Sequence, residues 1–231
     1  MISIKKTPLA SGEFYNNVVK KDTICIHHTA GGHRPDWTIN GWNTDKTKTG
    51  GKLPVATAYV IGGVSITDKN KEWDGVVLNC FDDKLWAHHL GLTTPNNKTL
   101  NAKTIGIEIC NYGPLKLSRD GHYYNYVNKV VPEDMVVKLS KPFRGYLYYH
   151  RYSDNQISAL KDLLIELGTK HAIDLKKGLQ EKLLQGLKAD AFEYNMGAVK
   201  GTAGLWTHTN YRKDKFDCSP QDNLISMINS L

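Results

Sequence analysis

A continuous apolar run, Thr23-Ile24-Cys25-Ile26, constrains the fold of this 231-residue chain more than any other stretch. A half-exposed strand alternates apolar and polar residues, whereas an unbroken β-branched run of this kind fits a strand covered on both faces of a sheet. His27, His28, Thr29, Ala30, Gly31 and Gly32 follow at once, so two histidines stand where a central strand opens into a loop. Strand side chains alternate, so only one of the pair can face a given site. Residues 104–110 repeat the pattern as Thr-Ile-Gly-Ile-Glu-Ile-Cys, with Glu108 breaking it.

Strands are also expected in residues 55–66, interrupted at Gly62-Gly63, and in residues 76–81. Ile157, Leu160, Leu163, Leu164 and Leu167 recur at helical spacing. They predict a helix over residues 154–167 with Ser153 or Asp154 as its N-cap. Residues 175–192 predict a further helix despite Gly178 and Gly186, and a short helix starts from Gln221. The whole describes a single α/β domain over residues 1–231. Residues 115–152 read as an irregular insertion or long loop within it. Seven of the chain's 12 tyrosines crowd there, Tyr123, Tyr124, Tyr126, Tyr148 and Tyr149 among them. Such a density can form a saccharide-binding surface, although ordinary packing is the simpler account.

The 40% hydrophobic and 23% charged fractions are those of an ordinary globular protein. A net charge of +7 favours an anionic partner such as a cell-wall polymer, a membrane surface or nucleic acid. The charge is spread, and no basic block reads as a nucleic-acid arm, so no nucleic-acid partner is expected. Residues 1–17 lack the apolar core of a signal peptide, and no run approaches the length of a membrane helix. Synthesis in the cytoplasm is therefore expected. Cys25, Cys80, Cys110 and Cys218 lie far apart in no Cys-x-x-Cys pair, and free thiols are the expectation.

Chemistry concentrates in residues 207–220, where His208, Lys215, Asp217 and Cys218 share one short irregular stretch. An open catalytic zinc takes three protein ligands plus a water, from histidine, carboxylate and thiolate. This segment can supply two, and the pair His27-His28 is the candidate source of the third. Glu108 is expensive to bury alone. It reads either as a surface residue on an edge strand or as a carboxylate beside the metal that takes a proton from water. Lys215 is one lysine among many, but a cation there would stabilise an oxyanion formed at a carbonyl. Trp86, His88 and His89, in Trp86-Ala87-His88-His89-Leu90-Gly91, read as groove lining ahead of metal binding.

Four segments occur in this order: Ile26-His27-His28-Thr29-Ala30, Trp86 to Gly91, Thr104 to Ile109, and His208 to Cys218. Together they resemble the zinc-dependent N-acetylmuramoyl-L-alanine amidases, the type that includes phage lysozyme-like endolysins, muropeptide-recycling amidases and peptidoglycan recognition proteins. The resemblance covers roughly residues 20 to 225 and is weak between 115 and 152. It implies a central mixed sheet flanked by helices, with one zinc ion in a surface groove. The implied reaction cleaves the amide between N-acetylmuramic acid and L-alanine of peptidoglycan or a muropeptide. By position, His27 matches the first ligand, His208 the second, Glu108 the catalytic base and Lys215 the lysine that stabilises the tetrahedral intermediate. A zinc-activated water would attack the carbonyl, with Glu108 passing the proton to the leaving amine.

Some members instead use a tyrosine at the place where this chain has Thr57, which implies reliance on Glu108; Tyr59, on the face of Thr57 by strand alternation, is a weaker substitute. For the third ligand the family carries aspartate or cysteine, and here the two are adjacent. Asp217 keeps the two-residue spacing from Lys215, which is the more specific cue, while Cys218 offers a strong zinc ligand. One of the two is expected to bind. No separate wall-binding module is visible. A phage-type endolysin, acting on the wall after release, or a bacterial wall-processing enzyme fits best. The alternative is a recognition protein that binds peptidoglycan without cutting it. A third reading is a basic nucleic-acid binder with a structural zinc, which requires four protein ligands.

Overall fold

The apolar run becomes strand β2 (Thr23–His28), and the main sheet is built around it. All six of its residues are buried. It lies between β5 (Thr104–Ile109) and β11 (Gly204–Thr207) and runs parallel to both. On the far side of β5, β3 (Tyr59–Ile61) adds in parallel, β4 (Val77–Asn79) turns antiparallel to it, and β1 (Ile4–Lys6) closes the edge. The result is a mixed six-stranded sheet in the order β1-β4-β3-β5-β2-β11. Inner strands covered on both faces need no polar alternation, which is why they read as continuous runs. The computed structural model describes residues 3–47 and 49–231; Met1 and Ile2, at the start of the segment read for a signal peptide, lie outside them.

Helices flank the sheet. They are α1 (Pro35–Thr44), α2 (Asn97–Lys103), α3 (Asp154–His171), α4 (Leu179–Leu184), α5 (Lys188–Ala191), α6 (Met196–Lys200), α7 (His208–Tyr211) and α8 (Asp222–Asn229). Ser153 caps α3 as expected, in a reciprocal capping box with Gln156. The five apolar residues of its predicted stripe are all buried in the main core, each contributing about 1.5–3 kcal/mol. The helix outruns the predicted end at Leu167. Its last turn is anchored by the buried carboxylate of Asp83, which accepts from Lys170 Nζ at 2.8 Å and His171 Nε2 at 3.0 Å.

Three expectations need correction. Within residues 55–66 only Tyr59–Ile61 is strand. Residues 175–192 form two short helices rather than one, separated around Gly186, whose φ of +78° a continuing helix cannot accept. Residues 115–152 are not irregular. They carry most of an antiparallel five-stranded sheet, order β8-β7-β6-β10-β9, with β6 (Pro114–Leu117), β7 (Tyr123–Tyr124), β8 (Val130–Val131), β9 (Val136–Phe143) and β10 (Tyr146–His150). The strand pattern is broken in sequence by Pro114 at the start of β6, by Pro142 within β9 and by the exposed Lys116, Lys138 and Lys141. No helix among the described residues is long and apolar enough to cross a membrane.

Candidate active site

Three neighbouring parallel strands, β5, β2 and β11, deliver their carboxyl ends to one place, where ligands of α/β sheets bind. Glu108 stands near the end of β5, His27 and His28 end β2, and His208 follows β11 as the first residue of α7. Asp217 comes from the loop after α7, which is tied back by a hydrogen bond from Thr209 N–H to the Asp217 carbonyl at 2.9 Å. Around these residues opens a groove of about 520 Å3, lined also by Thr57, His89 and Lys215.

Strand alternation separates the two histidines as expected. His28 Nδ1 sits 2.9 Å from the Tyr152 hydroxyl. His27 Nδ1 instead lies 3.3 Å from Asp217 Oδ2, and His208 Nδ1 lies 3.0 Å from the same oxygen. One donor atom from each of these three residues falls within 4.8 Å of the others. All three are buried.

The outer ring nitrogens decide what this cluster can hold. His208 Nε2 is 3.1 Å from the Leu90 carbonyl, which only accepts, so Nε2 carries the hydrogen. In the neutral ring, Nδ1 then presents a lone pair to a carboxylate oxygen at 3.0 Å. Two electron-pair donors at that distance repel unless a cation lies between them or the ring gains a proton. His27 Nε2 is 2.9 Å from His89 Nδ1, and donation in that direction likewise frees His27 Nδ1. Imidazole nitrogens with their far N–H groups engaged, plus a carboxylate, are the donor set a divalent zinc ion takes.

Charge states agree with that fit. Burial, reinforced by His208, lowers the His27 pKa to about 4, so its ring is neutral at pH 7. Burial alone would raise Asp217, but charge and hydrogen bonding from His208, then His27, hold it well below the usual carboxylate range. Deprotonated ligands are what metal binding requires. Glu108 moves the other way: burial first, and then Asp217, push its carboxyl well above the usual range. Its Oε2 is buried without a hydrogen-bond partner.

The segment around His89 is held by α2. Asn101 Oδ1 accepts from the backbone N–H of His89 at 2.6 Å and of Leu90 at 3.0 Å. Asn101 thereby fixes the partners of both histidines. Gly106 on β5 leaves the room they need, because a Cβ there would meet Thr57 Cγ2 at 2.7 Å and His89 Nδ1 at 3.1 Å. Cys25 also approaches His27 and His89. Its thiol is pushed well above the ordinary range by burial, and then by Asp217.

Other sequence-derived candidates lie elsewhere. Cys218 is fully buried within the main hydrophobic core, whereas its neighbour Asp217 lines the groove. All four cysteines are free, as expected, and Cys218 is buried like the other three. Trp86 stacks on Tyr15 with ring centroids 4.0 Å apart and donates from Nε1 to Asn17 at 2.8 Å. His88 packs edge-on against the same two rings. The N-terminal segment therefore covers both, and of the groove-lining candidates the groove keeps Thr57 and His89. Tyr59 donates to buried Asp83 at 2.7 Å instead of sharing the groove with Thr57. Sequence reading passed over four aromatic residues that line the groove, Trp42, Tyr112, Tyr146 and Phe216. Only Phe216, lodged between Lys215 and Asp217, had a positional signal.

The sequence model of the family described as N-acetylmuramoyl-L-alanine amidase matches residues 17–210. No curated protein sequence matches the chain. Among solved structures, a point mutant of PlyL aligns with a TM-score of 0.52 at 11% identity, covering 100% of each chain. The catalytic domain of XlyA gives 0.50 at 13% identity, covering 98% of this chain and 99% of its own. Drosophila peptidoglycan recognition protein SD gives 0.47 at 16% identity, covering 100% and 95%. The first two share the fold: a mixed central sheet flanked by helices. With the family model matched over most of its length, the chain belongs to the N-acetylmuramoyl-L-alanine amidases.

Proposed function

We propose that this amidase hydrolyses the bond between the lactyl group of N-acetylmuramic acid and L-alanine of peptidoglycan with one zinc ion held by His27, His208 and Asp217. The observation that carries the proposal is the convergence of those three donor atoms within 4.8 Å, each imidazole having its far nitrogen engaged. Asp217, rather than Cys218, is assigned as third ligand because the Cys218 side chain belongs to the core. Zinc, when bound, supplies a Lewis acid and lowers the pKa of a water to about 7.

The protein's own groups do the rest. Glu108 takes a proton from the attacking water and returns it to the leaving amine as the C–N bond breaks. Its raised affinity for protons suits both halves of that exchange. Lys215, half-buried at the groove, offsets negative charge developing on the carbonyl oxygen. Thr57 and His89 line the floor. Action as a phage-type endolysin or bacterial wall-processing enzyme follows, and the net charge of +7 favours adsorption to an anionic wall.

Mass spectrometry of products from purified peptidoglycan tests the reaction, with new L-alanine amino termini expected. Metal analysis of the same preparation should return one zinc per chain. Muropeptide binding with neither cleavage nor zinc would replace this reading with that of a recognition protein.

A further inference from the structure

We infer that Tyr126 and the Tyr146–Phe216 pair form an aromatic wall that stacks on sugar rings of the glycan strand, a role that rests on the amidase reading. Tyr126 lies at the tip of the β7–β8 hairpin and is 65% exposed, yet it lines the groove. Tyr146, on β10, meets Phe216 edge-to-face with ring centroids 5.6 Å apart and planes at 86°. Both rings line the same groove, and Phe216 adjoins Asp217. The second sheet thus supplies a side of the groove that the main sheet lacks.

The other tyrosines of that region are accounted for by packing. Tyr149 is fully buried and donates to the Phe143 carbonyl at 2.6 Å. Tyr123 and Tyr148 pack on each other with ring centroids 5.0 Å apart, and Tyr124 donates to Asp120 at 2.8 Å. Tyr126 has no such employment, but its loop is firmly built. Asn125 is buried, and its Oδ1 accepts from the N–H groups of Val127 at 3.1 Å and Lys129 at 2.9 Å. A further hydrogen bond from Asn125 N–H to the Lys129 carbonyl closes the loop. An exposed aromatic on a pre-ordered tip loses little entropy when it binds.

The wall is also coupled to the site. In the turn after β9, Arg144 donates to the carbonyls of Thr209 and Lys213 and pairs with Glu193. This turn therefore braces the loop that carries Lys215, Phe216 and Asp217. Pyranose rings present apolar C–H faces and polar hydroxyl edges, so flat uncharged rings match their faces. A stem peptide rich in carboxylates would call for cations, and the three rings bring none.

The N-acetylglucosamine tetrasaccharide separates this inference from the amidase reading, because it has sugar rings but no stem peptide and no scissile amide. Calorimetric titration should show binding by the wild-type protein, weakened about tenfold by Tyr126→Ala or Tyr146→Ala, a loss equivalent to one aromatic contact. Tyr126→Phe and Tyr146→Phe should restore it. On peptidoglycan the alanine variants should raise KM by a similar factor with kcat within about twofold. Failure of the wild type to bind the tetrasaccharide, or alanine variants that bind it equally well, would overturn the wall. Weakened binding of a free stem peptide with unchanged tetrasaccharide binding would also overturn it, and would assign the rings to the peptide. Absence of new L-alanine termini would instead sink the amidase reading and leave the tetrasaccharide result to stand by itself.

Discussion

His27 on β2 and Glu108 on β5 are direct partners across two adjacent parallel strands. Paired residues of neighbouring strands stand about 4.8 Å apart and project to the same face. The backbone therefore fixes the proposed base beside the first proposed ligand, whatever the loops do. Glu108→Gln preserves shape while removing the base, and hydrolysis should fall about 100- to 10,000-fold. Zinc content and thermal midpoint should stay near wild type. A loss smaller than tenfold would falsify the proton-transfer role.

Asp217 and Cys218 are neighbours in sequence with opposite destinations, groove and core. Asp217→Asn should abolish stoichiometric zinc. Cys218→Ala should keep zinc and lower stability by about 1–2 kcal/mol through the small cavity it leaves. Metal analysis alongside urea denaturation of both variants distinguishes them, and the reverse pattern would move the ligand assignment to Cys218.

His89 and Asn101 lie behind the proposed ligands. His89→Ala removes the group facing His27 Nε2 at 2.9 Å, and loss of such a partner weakens metal affinity about 10- to 100-fold. Asn101→Ala strands two backbone N–H groups, at His89 and Leu90. It should cost about 1–3 kcal/mol for each group left unsatisfied and loosen zinc as well. Competition against a fluorescent chelator reads both affinities directly, without reference to turnover. Wild-type affinity in both variants would confine these residues to packing.

How much of this was legible in sequence depended on how each residue earns its place. Continuous runs at β2 and β5 declared themselves because burial on both faces forbids polar residues, and Glu108 stood out for the same reason. His27, His208 and Asp217 were visible as chemistry in search of a partner. β11 was not, since Gly204–Thr207 offers too short a pattern, and without it the ligand end of His208 had no strand to place it. Trp86 and His88 misled because the covering segment, with Tyr15 and Asn17, lies some 70 residues away in the chain. His89 lines the groove, but its contact with His27 depends on Gly106 leaving space, which only the register of β2 and β5 reveals.

Gly106 makes that space at mid-strand, where glycine otherwise weakens a sheet. Gly106→Ala would drive a methyl group toward Thr57 and His89. Overpacking of this kind costs about 1–3 kcal/mol, and displacement of His89 should lower zinc affinity in step. A variant with wild-type stability and affinity would show that Thr57 yields freely.

Buried neutral histidines set the acid limit of stability. Burial lowers His150 to about 3, with His28 adding to the effect, and lowers His28 itself to about 4. An unfolded histidine titrates near 6.5. Between that value and the folded ones the unfolded chain binds more protons, so stability rises with pH across the window. Their contribution is complete above about pH 6.5 and is lost as pH falls toward 4. Carboxylates held low, such as Asp83 and Asp217, act only below their unfolded value of 3.8. Glu108, held high by burial, adds stability as pH falls and offsets only part of the loss from several histidines. The urea midpoint should therefore decline steadily from pH 7 to pH 4.5. His150 Nδ1 accepts from the Tyr112 N–H at 3.3 Å, a bond that the side-chain oxygen of His150→Gln can replace. That variant should show a shallower decline over the same interval. A midpoint that is flat between pH 7 and pH 4.5 in the wild type would mean that these rings take up protons without unfolding the chain.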